Sequence, residues 1–389
     1  MRTITAARLW DGKALLDNPI LEIEDGRIRS ISSGEAPGRI SGADHFPGAT
    51  LAPAFFDVHI HGAAGHDVME ATPEALTAIG RFLASRGTGS FLATTVTAPL
   101  DMTLRALDGL AKLIDPPMLI QSKGADHPAA KPIGIHLEGP FLSHAKCGVQ
   151  PKEHLLAPDI ATFDKLYEAA GGHARLMTLA PELPGAVELA AHATQRGVRV
   201  SVGHSDATAA QTSAAIAAGA VSATHTFNAM RALDHREPGI LGTVLTTDSL
   251  FSELICDGIH TAPEIVKMWW RAKGPERAIL VTDAMSAAGM PDGEYQLGGF
   301  AVQVANGRAM ARGVLAGSVL TLDRALENFL HFTGAPIDKA LRLLTVNPAA
   351  MTGFSDQAGS LTVGQPANLV AVDAQGKLVA SFVRGRLAS

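Results

Sequence analysis

The sequence predicts an α/β protein, a (β/α)8 barrel carrying a small β-sandwich domain formed by both termini. Three observations predict it. Apolar, strand-like runs alternate eight times with helical stretches through the middle of the 389-residue chain. The two ends have a different texture, short strands broken by turns. The apolar runs of the middle repeatedly finish in His, Glu or Asp. A doubly wound open sheet uses the same alternation, but eight units favour closure into a TIM-like barrel. The expected division is residues 1–50 with 355–389 as the small domain and 51–354 as the barrel.

The elements follow in order. At the N-terminus TITAARLW and PILEIEDGRIRSIS read as short strands, with Asp25-Gly26 placed as a hairpin turn. The barrel strands are LAPAFFDVHIH, TGSFLATTVT, IGIHLEG, RLMTLAPE, VRVSVGH, AVSATHTF, LFSELICDG and AILVTDA. Between them TPEALTAIGRFLASRG, from Thr72, and DATAAQTSAAIAAG, from Asp206, show helical periodicity behind N-cap residues. The stretch IQSKGADHPAAKP before the third strand reads as a loop. FAVQVANGRAMA, with Asn306-Gly307 at its turn, is one hairpin inserted into the last unit. The tail ANLVAVDAQGKLVASFVRG turns at Gln375-Gly376 and is expected to pair with the N-terminal strands.

Composition narrows the function. Hydrophobic residues make up 47% and charged residues 18%, which suits a compact globular enzyme. The formal charge is -6 and no basic run is dense enough to track a nucleic-acid backbone. A phosphate on a ligand must therefore be met by a few local Arg, His or backbone N–H groups. The two cysteines, Cys147 and Cys256, make no CxxC motif or disulfide framework, which points to a reducing compartment. MRTITAARLWDG lacks the apolar core of a secretory signal, and no apolar run is long enough to span a bilayer. A cytoplasmic protein without membrane partners is expected.

The strand ends carry the chemistry. His59, His61, Glu138, His204, His225 and Asp283 each close an apolar run, and in a barrel those ends meet at one mouth. Buried carboxylates and imidazoles are costly unless paired, hydrogen-bonded or metal-bound, so several at one rim call for a shared cation. His59 and His61 flank Ile60 and point to one face of the strand. Asp57 shares that face and is expected to orient a ligand histidine. Taken singly, each histidine fits a satisfied core position as readily. Joined to Glu138 they make the N/O ligand set of zinc or iron. Asp283 is placed to take a proton from a metal-activated water and hand it to a leaving amine. Taken alone, it fits an N-cap.

At these residues the sequence resembles the amidohydrolase superfamily, and within it the family of N-acetylglucosamine-6-phosphate deacetylases, over nearly the whole chain. The resemblance is carried by PAFFDVHIHG, HLEGPF, VGHSDA, THTFNAM, REPGILG, CDGIH, LVTDAMSAAG, LAGSVLTLD and TVNPAAMTG. HLEGPF, THTFNAM and the Arg-Glu-Pro-Gly segment mark the family; HxH marks the superfamily at large. The resemblance implies a homodimer with the active site near the interface. It implies hydrolysis of the acetyl group from N-acetyl-D-glucosamine 6-phosphate, giving D-glucosamine 6-phosphate and acetate.

The same resemblance places Glu138, His204 and His225 on the principal ligands of a divalent metal and Asp283 on the catalytic acid/base. His59 and His61 fall where some members carry non-ligating residues and hold one metal. Two histidines here leave room for a second ion bridged by Glu138. One or two ions per subunit are expected, zinc first, with iron or manganese as alternatives. Asn228 and Ala229 fall where backbone amides meet the phosphate at a helix start, and Arg236 on a phosphate-binding arginine. His260, in Asp257-Gly258-Ile259-His260, falls on a substrate-binding histidine, and Leu315, Ala316 and Gly317 on a substrate-contacting loop. Val149 and Gln150 end KCGVQP, where the family commonly has a Lys-Gly segment ending in a sugar-contacting histidine. Glutamine bonds a hydroxyl but carries no charge. That leaves N-acetylgalactosamine 6-phosphate, or the substrate of another metal-dependent amidohydrolase, as the alternative.

Overall fold

The computed structural model describes residues 1–34, 40–114 and 127–389. Eight strands pair in sequence order: Phe55–Ile60, Thr88–Thr94, Lys131–Glu138, Ala174–Leu179, Arg199–Val202, Ala220–Ala223, Phe251–Ile255 and Ala278–Val281. Every pairing is parallel. The order returns to its start just past the eighth strand, where Ala284 bridges Ile60. There Asp283 N–H donates to the His59 carbonyl at 2.9 Å and His61 N–H to that of Ala284 at 2.8 Å. The closed barrel expected from eight units is the fold observed. Phe55–Ile60 and Ala278–Val281 are buried at every position. Strands buried throughout in this way are covered on both faces, by packed side chains within and helices without.

The helices start where local chemistry sets them. Pro73–Ser85 opens on Thr72, whose side chain accepts the Ala75 N–H, with proline in the first turn. It buries Leu76, Ile79 and Leu83 against the strands. The helix expected from Asp206 begins later, as Ala209–Ala217, and its cap is a Thr208/Gln211 capping box. Asp206 is occupied elsewhere: its carboxylate pairs with Arg231 and its N–H with Glu182. Of the expected loop IQSKGADHPAAKP, residues 120–126 lie outside the described residues, and its last two residues already belong to the third strand. No helix among the described residues is long and apolar enough to cross a membrane.

Both termini build one eight-stranded sheet. Its order is Arg386–Leu387, Leu378–Val383, Leu369–Val372, Asp44–Pro53, Arg2–Trp10, Pro19–Glu24 and Arg27–Ser33, with Leu15–Asp17 also on Arg2–Trp10. The central pairs therefore join the first and last parts of the chain. Asp25 and Gly26 both hold positive φ, 50° and 75°, as a two-residue hairpin turn requires. The edge strand Arg27–Ser33 and its turn curl back to the segment that leads into Leu369–Val372: Ile28 N–H donates to the Gln365 carbonyl and Ala367 N–H to that of Gly26, each at 2.9 Å. Ile4, Leu21, Ile28, Leu369 and Phe382 fill one core between them.

The insertion is larger than one hairpin. Asn306-Gly307 does turn the pair Phe300–Ala305 and Arg308–Ala311, but Gly293–Leu297 and Val314–Leu315 extend it to four antiparallel strands. The outer strands are short, Val314–Leu315 only two residues and Gly293–Leu297 mixed in polarity, which hid them in the sequence. Leu297, Val302, Val304 and Ala309 share a core with Val96 and Val149 of the barrel loops, so the insert roofs the mouth.

Candidate active site

All eight strands run toward one rim, and the six expected residues meet there. His59 lies in the first strand and His61 just beyond it; Glu138 ends the third. His204, His225 and Asp283 each lie two residues past the fifth, sixth and eighth strands, with positive φ of 46°, 27° and 50°. Side chains other than glycine pay of order 1–3 kcal/mol for such backbone, so the surroundings must over-determine it. They do. Ser318 N–H donates to the Asp283 carbonyl at 2.7 Å, and the carbonyls of His204 and His225 accept from Ser143 and Asn228 at 3.0 Å. After Glu138 the chain needs Gly139, at φ 88°, because a Cβ there would lie 2.2 Å from the Thr97 hydroxyl oxygen.

Glu138 is the hub. Its Oε1 lies 3.2 Å from Nε2 of His59, His204 and His225, and its Oε2 lies 3.3 Å from Nε2 of His61. Asp283 Oδ1 stands 3.1 Å from His61 Nε2 and 3.5 Å from His59 Nε2. The Nε2 atoms of His204 and His225 face each other at 3.1 Å. These atoms form three compact ligand sets: Glu138 with His204 and His225, Glu138 with His59 and His61, and Asp283 with His59 and His225; the first two share Glu138. For bonds of about 2.0–2.1 Å the edges of a coordination tetrahedron are about 3.3 Å, the spacing found here.

Hydrogen bonds on the far side of the His61 and His204 rings say which way their nitrogens point. His61 Nδ1 lies 3.1 Å from the Thr94 carbonyl and His204 Nδ1 3.0 Å from that of Lys146, both groups that only accept. The ring hydrogen is therefore on Nδ1, and Nε2 presents a lone pair to the centre. His59 Nε2 is fully buried and, among the described residues, has no hydrogen-bond partner. Lone pairs aimed at carboxylate oxygens repel unless protons or a cation come between them. In the metal-free chain protons do. Against the burial that opposes charge, the hydrogen bonds to Asp283 and Glu138 raise His61 to about 9. His59 rises well above its ordinary value against the same burial, through the charges of Glu138 and Asp283. Glu138 and Asp283 are correspondingly held low by these imidazoles despite their own burial. A divalent cation takes the place of those protons. The residues fit it.

Three buried residues support the centre. Asp57 does sit below His59, but it accepts the backbone N–H of His59 and the Thr282 hydroxyl instead of a ring hydrogen. Its burial pushes it up to about 7. The carboxylate beside the His59 ring belongs to Glu253, which sequence reasoning missed: its Oε2 is 3.3 Å from Nδ1. His136, with its ring centroid 4.7 Å from that of His59, bonds Thr178 at 2.8 Å and is kept neutral by burial and the positive rings around it. A polar residue in mid-strand gives a sequence reader no cue except its own oddity among apolar neighbours.

A cavity of about 260 Å³ opens over the cluster. Val149, Gln150, Asn228, Ala229, His260, Leu315 and Gly317 line it, as expected of substrate contacts. Gln150 is already engaged: its amide donates to Glu138 at 2.7 Å and its carbonyl accepts the Thr97 N–H at 2.9 Å. His260 is held by Asp257, 2.6 Å from its Nδ1, while Gly258 and Ile259 form the turn behind it and do not line the cavity. Against its burial, Asp257 raises the His260 pKa. Ala316 is buried beneath the lining, its N–H on the Ala309 carbonyl. Asn228 and Ala229 lie in a turn, not at a helix start, since the next helix is Gly239–Thr246. The Asn228 N–H is taken by the His225 carbonyl. Arg236 is exposed in the turn after Asp234 and is not brought to the cavity of its own chain.

Comparison with known proteins agrees with this geometry. The chain is 37% identical over 379 residues to the N-acetylglucosamine-6-phosphate deacetylase of Bacillus subtilis (strain 168), covering 96% of this chain and 93% of that protein. It is 38% identical over 387 residues to the N-acetylgalactosamine-6-phosphate deacetylase of Escherichia coli O157:H7, covering 99% of each. Among solved structures, a mutant N-acetyl-D-glucosamine-6-phosphate deacetylase of Mycobacterium smegmatis in complex with N-acetyl-D-glucosamine-6-phosphate superposes with a TM-score of 0.91. It is 34% identical, covering 100% of this chain and 99% of that one. The model of the amidohydrolase family matches residues 50–387, which take in the whole barrel and all six rim residues. With that match and this metal-ready rim, the chain belongs to the amidohydrolase family.

Proposed function

We propose that the protein hydrolyses N-acetyl-D-glucosamine 6-phosphate to D-glucosamine 6-phosphate and acetate. One observation carries it: two ligand sets sharing Glu138 stand beside a carboxylate, Asp283, at the floor of a cavity lined by His260 and Gln150. The two deacetylases to which the chain is similar over nearly its full length support the phosphorylated amino sugar as substrate.

Glu138, His204 and His225 would hold one divalent cation, and His59 and His61, with Glu138, a second; zinc suits these ligands, as do iron and manganese. Such a cation supplies an acidified water and polarises the amide carbonyl. Asp283 takes the proton of the attacking water and passes it to the sugar nitrogen as the C–N bond breaks. His260, steadied by Asp257, donates to the bound substrate. The roof strands and Gln150 limit water around the reacting amide. Arg236 meets the phosphate from a second subunit, so the working unit is a homodimer with the site near its interface. Its exposed position, outside its own cavity, supports this arrangement.

A second reading, N-acetyl-D-galactosamine 6-phosphate as substrate, is favoured by the similarity to the galactosamine-type relative, 38% identical against 37% for the glucosamine-type one. The purified protein, assayed for acetate release on both phosphorylated sugars and on unphosphorylated N-acetylglucosamine, separates these readings. Turnover of the unphosphorylated sugar as fast as of its 6-phosphate would sink both.

A further inference from the structure

We propose that Glu253 is a positioning residue that fixes the His59 ring for metal ligation and ties it to the backbone of His225. The inference rests on the reading that a divalent cation occupies the Glu138 cluster.

Glu253 lies in the middle of the seventh strand, Phe251–Ile255, and is wholly buried. Strand-forming chemistry does not call for a carboxylate there. On either side Ser252 and Leu254 are fully buried as well, so the side chain has no route to solvent. A buried carboxylate left partly unsatisfied is a cost that a protein keeps for a reason. Its Oε1 has no hydrogen-bond partner among the described residues. Its Oε2 has two: His59 Nδ1 at 3.3 Å and the backbone N–H of His225 at 3.4 Å.

Those two contacts define the role. A carboxylate only accepts, so the His59 hydrogen must sit on Nδ1 and its Nε2 must offer a lone pair toward Glu138. His61 and His204 obtain the same tautomer from neutral backbone carbonyls. Among these three rings His59 has the charged acceptor, which makes its imidazole the more strongly donating ligand. The second contact reaches the other ligand set. His225 holds a φ of 27°, and its N–H is anchored by the same oxygen that orients His59. One carboxylate thus braces a ligand of each set. Charge points the same way. Glu138, Asp283 and Glu253, with Asp57 beneath His59, bring four buried carboxylates to the centre, more negative charge than one divalent cation balances.

The test measures metal, not only turnover. Wild type, Glu253→Ala, Glu253→Gln and His59→Ala are stripped, reloaded with zinc and titrated with a competing chelator; zinc per chain is read by elemental analysis. The expected result is two zinc ions in wild type and one tightly held ion in Glu253→Ala. The second ion should bind that variant about 10- to 100-fold more weakly, and Glu253→Gln, which keeps an acceptor for Nδ1–H, should recover most of the loss. Added to His59→Ala, Glu253→Ala should weaken the ion on the His59 side no further, because its effect on that ion runs through the His59 ring. Glu253→Leu, which keeps the buried volume, replaces the alanine variant should that one fail to fold. Full affinity for two ions in Glu253→Ala or Glu253→Leu overturns the proposal, and so does a further loss of the His59-side ion on top of His59→Ala. Wild type that holds one ion and still releases acetate overturns this inference while leaving the proposed function standing; wild type that needs no ion for turnover removes both.

Discussion

Replacing Asp283 by asparagine separates proton transfer from metal binding. Asparagine keeps the shape of the side chain and one of its oxygens. The ion expected on Glu138, His204 and His225 keeps all three of its ligands. What is lost is the basic oxygen 3.1 Å from His61 Nε2. Burial works against the charged form of Asp283, but the His59 and His61 imidazoles hold its pKa below the ordinary value, so it is ionised and able to accept at neutral pH. General acid–base catalysis contributes about 10²–10⁴-fold. Because the same carboxylate both removes the water proton and protonates the leaving nitrogen, the loss should sit in the upper half of that range. The expected fall in kcat is about 10³- to 10⁴-fold, or roughly 4–5 kcal/mol of barrier. Acetate release and zinc content are measured on the same preparation, with KM from the substrate dependence. A kcat within tenfold of wild type at unchanged zinc content refutes the assignment; activity and zinc lost together would make Asp283 a ligand instead.

Three further outcomes follow from charge and position. In the stripped protein His61, raised to about 9, and His59, raised as well, carry protons at pH 7 that an entering cation must displace. Apparent zinc affinity should therefore climb roughly tenfold per pH unit for each proton released, from about pH 6.5 until His61 is neutral. Raised histidine pKa values stabilise the stripped fold fully below about 6.5, and that share is lost as pH rises through about 9. Calorimetry should show Tm falling over that window with chelator and holding with zinc; a flat profile in both contradicts the protonated-histidine reading. Arg236→Ala should leave Tm unchanged, since the side chain is exposed, and raise KM for the phosphorylated sugar about 10- to 100-fold, as loss of a charged hydrogen bond does. Mixed with Asp283→Asn subunits it should regain activity, because one site in such a pair has both groups; no recovery would place Arg236 outside the partner's cavity.

The barrel was legible because its strands are buried on both faces and read as unbroken apolar runs. Its rim was legible for a related reason: His59, His61, Glu138, His204, His225 and Asp283 interrupt those runs at their ends, where an ionisable residue stands out. What the sequence hid lies where that contrast fails or where partners are remote. Glu253 is enclosed in mid-strand, and its contact with His59 spans 194 positions. Asp57 shares a face with His59 as expected, but which of its contacts reaches the ring depends on a neighbouring strand. Gln150 was readable as a sugar contact by resemblance alone; its bonds to Glu138 and Thr97 needed coordinates. Asp206 has the chemistry of a cap, yet the pairing with Arg231 outcompetes it.

The strand Asp44–Pro53 passes, after Ala54 alone, into the strand that carries His59 and leads directly to His61. Its alignment is fixed on one side by Arg2–Trp10 and on the other by Leu369–Val372, the beginning and the close of the polypeptide. Because the two histidines share parity, a slip of one residue would rotate both imidazoles out of the mouth at once. The terminal strands thus act as an index mark for the catalytic end of the barrel, and the distant tail is as much a part of the metal centre's construction as the residues that touch it.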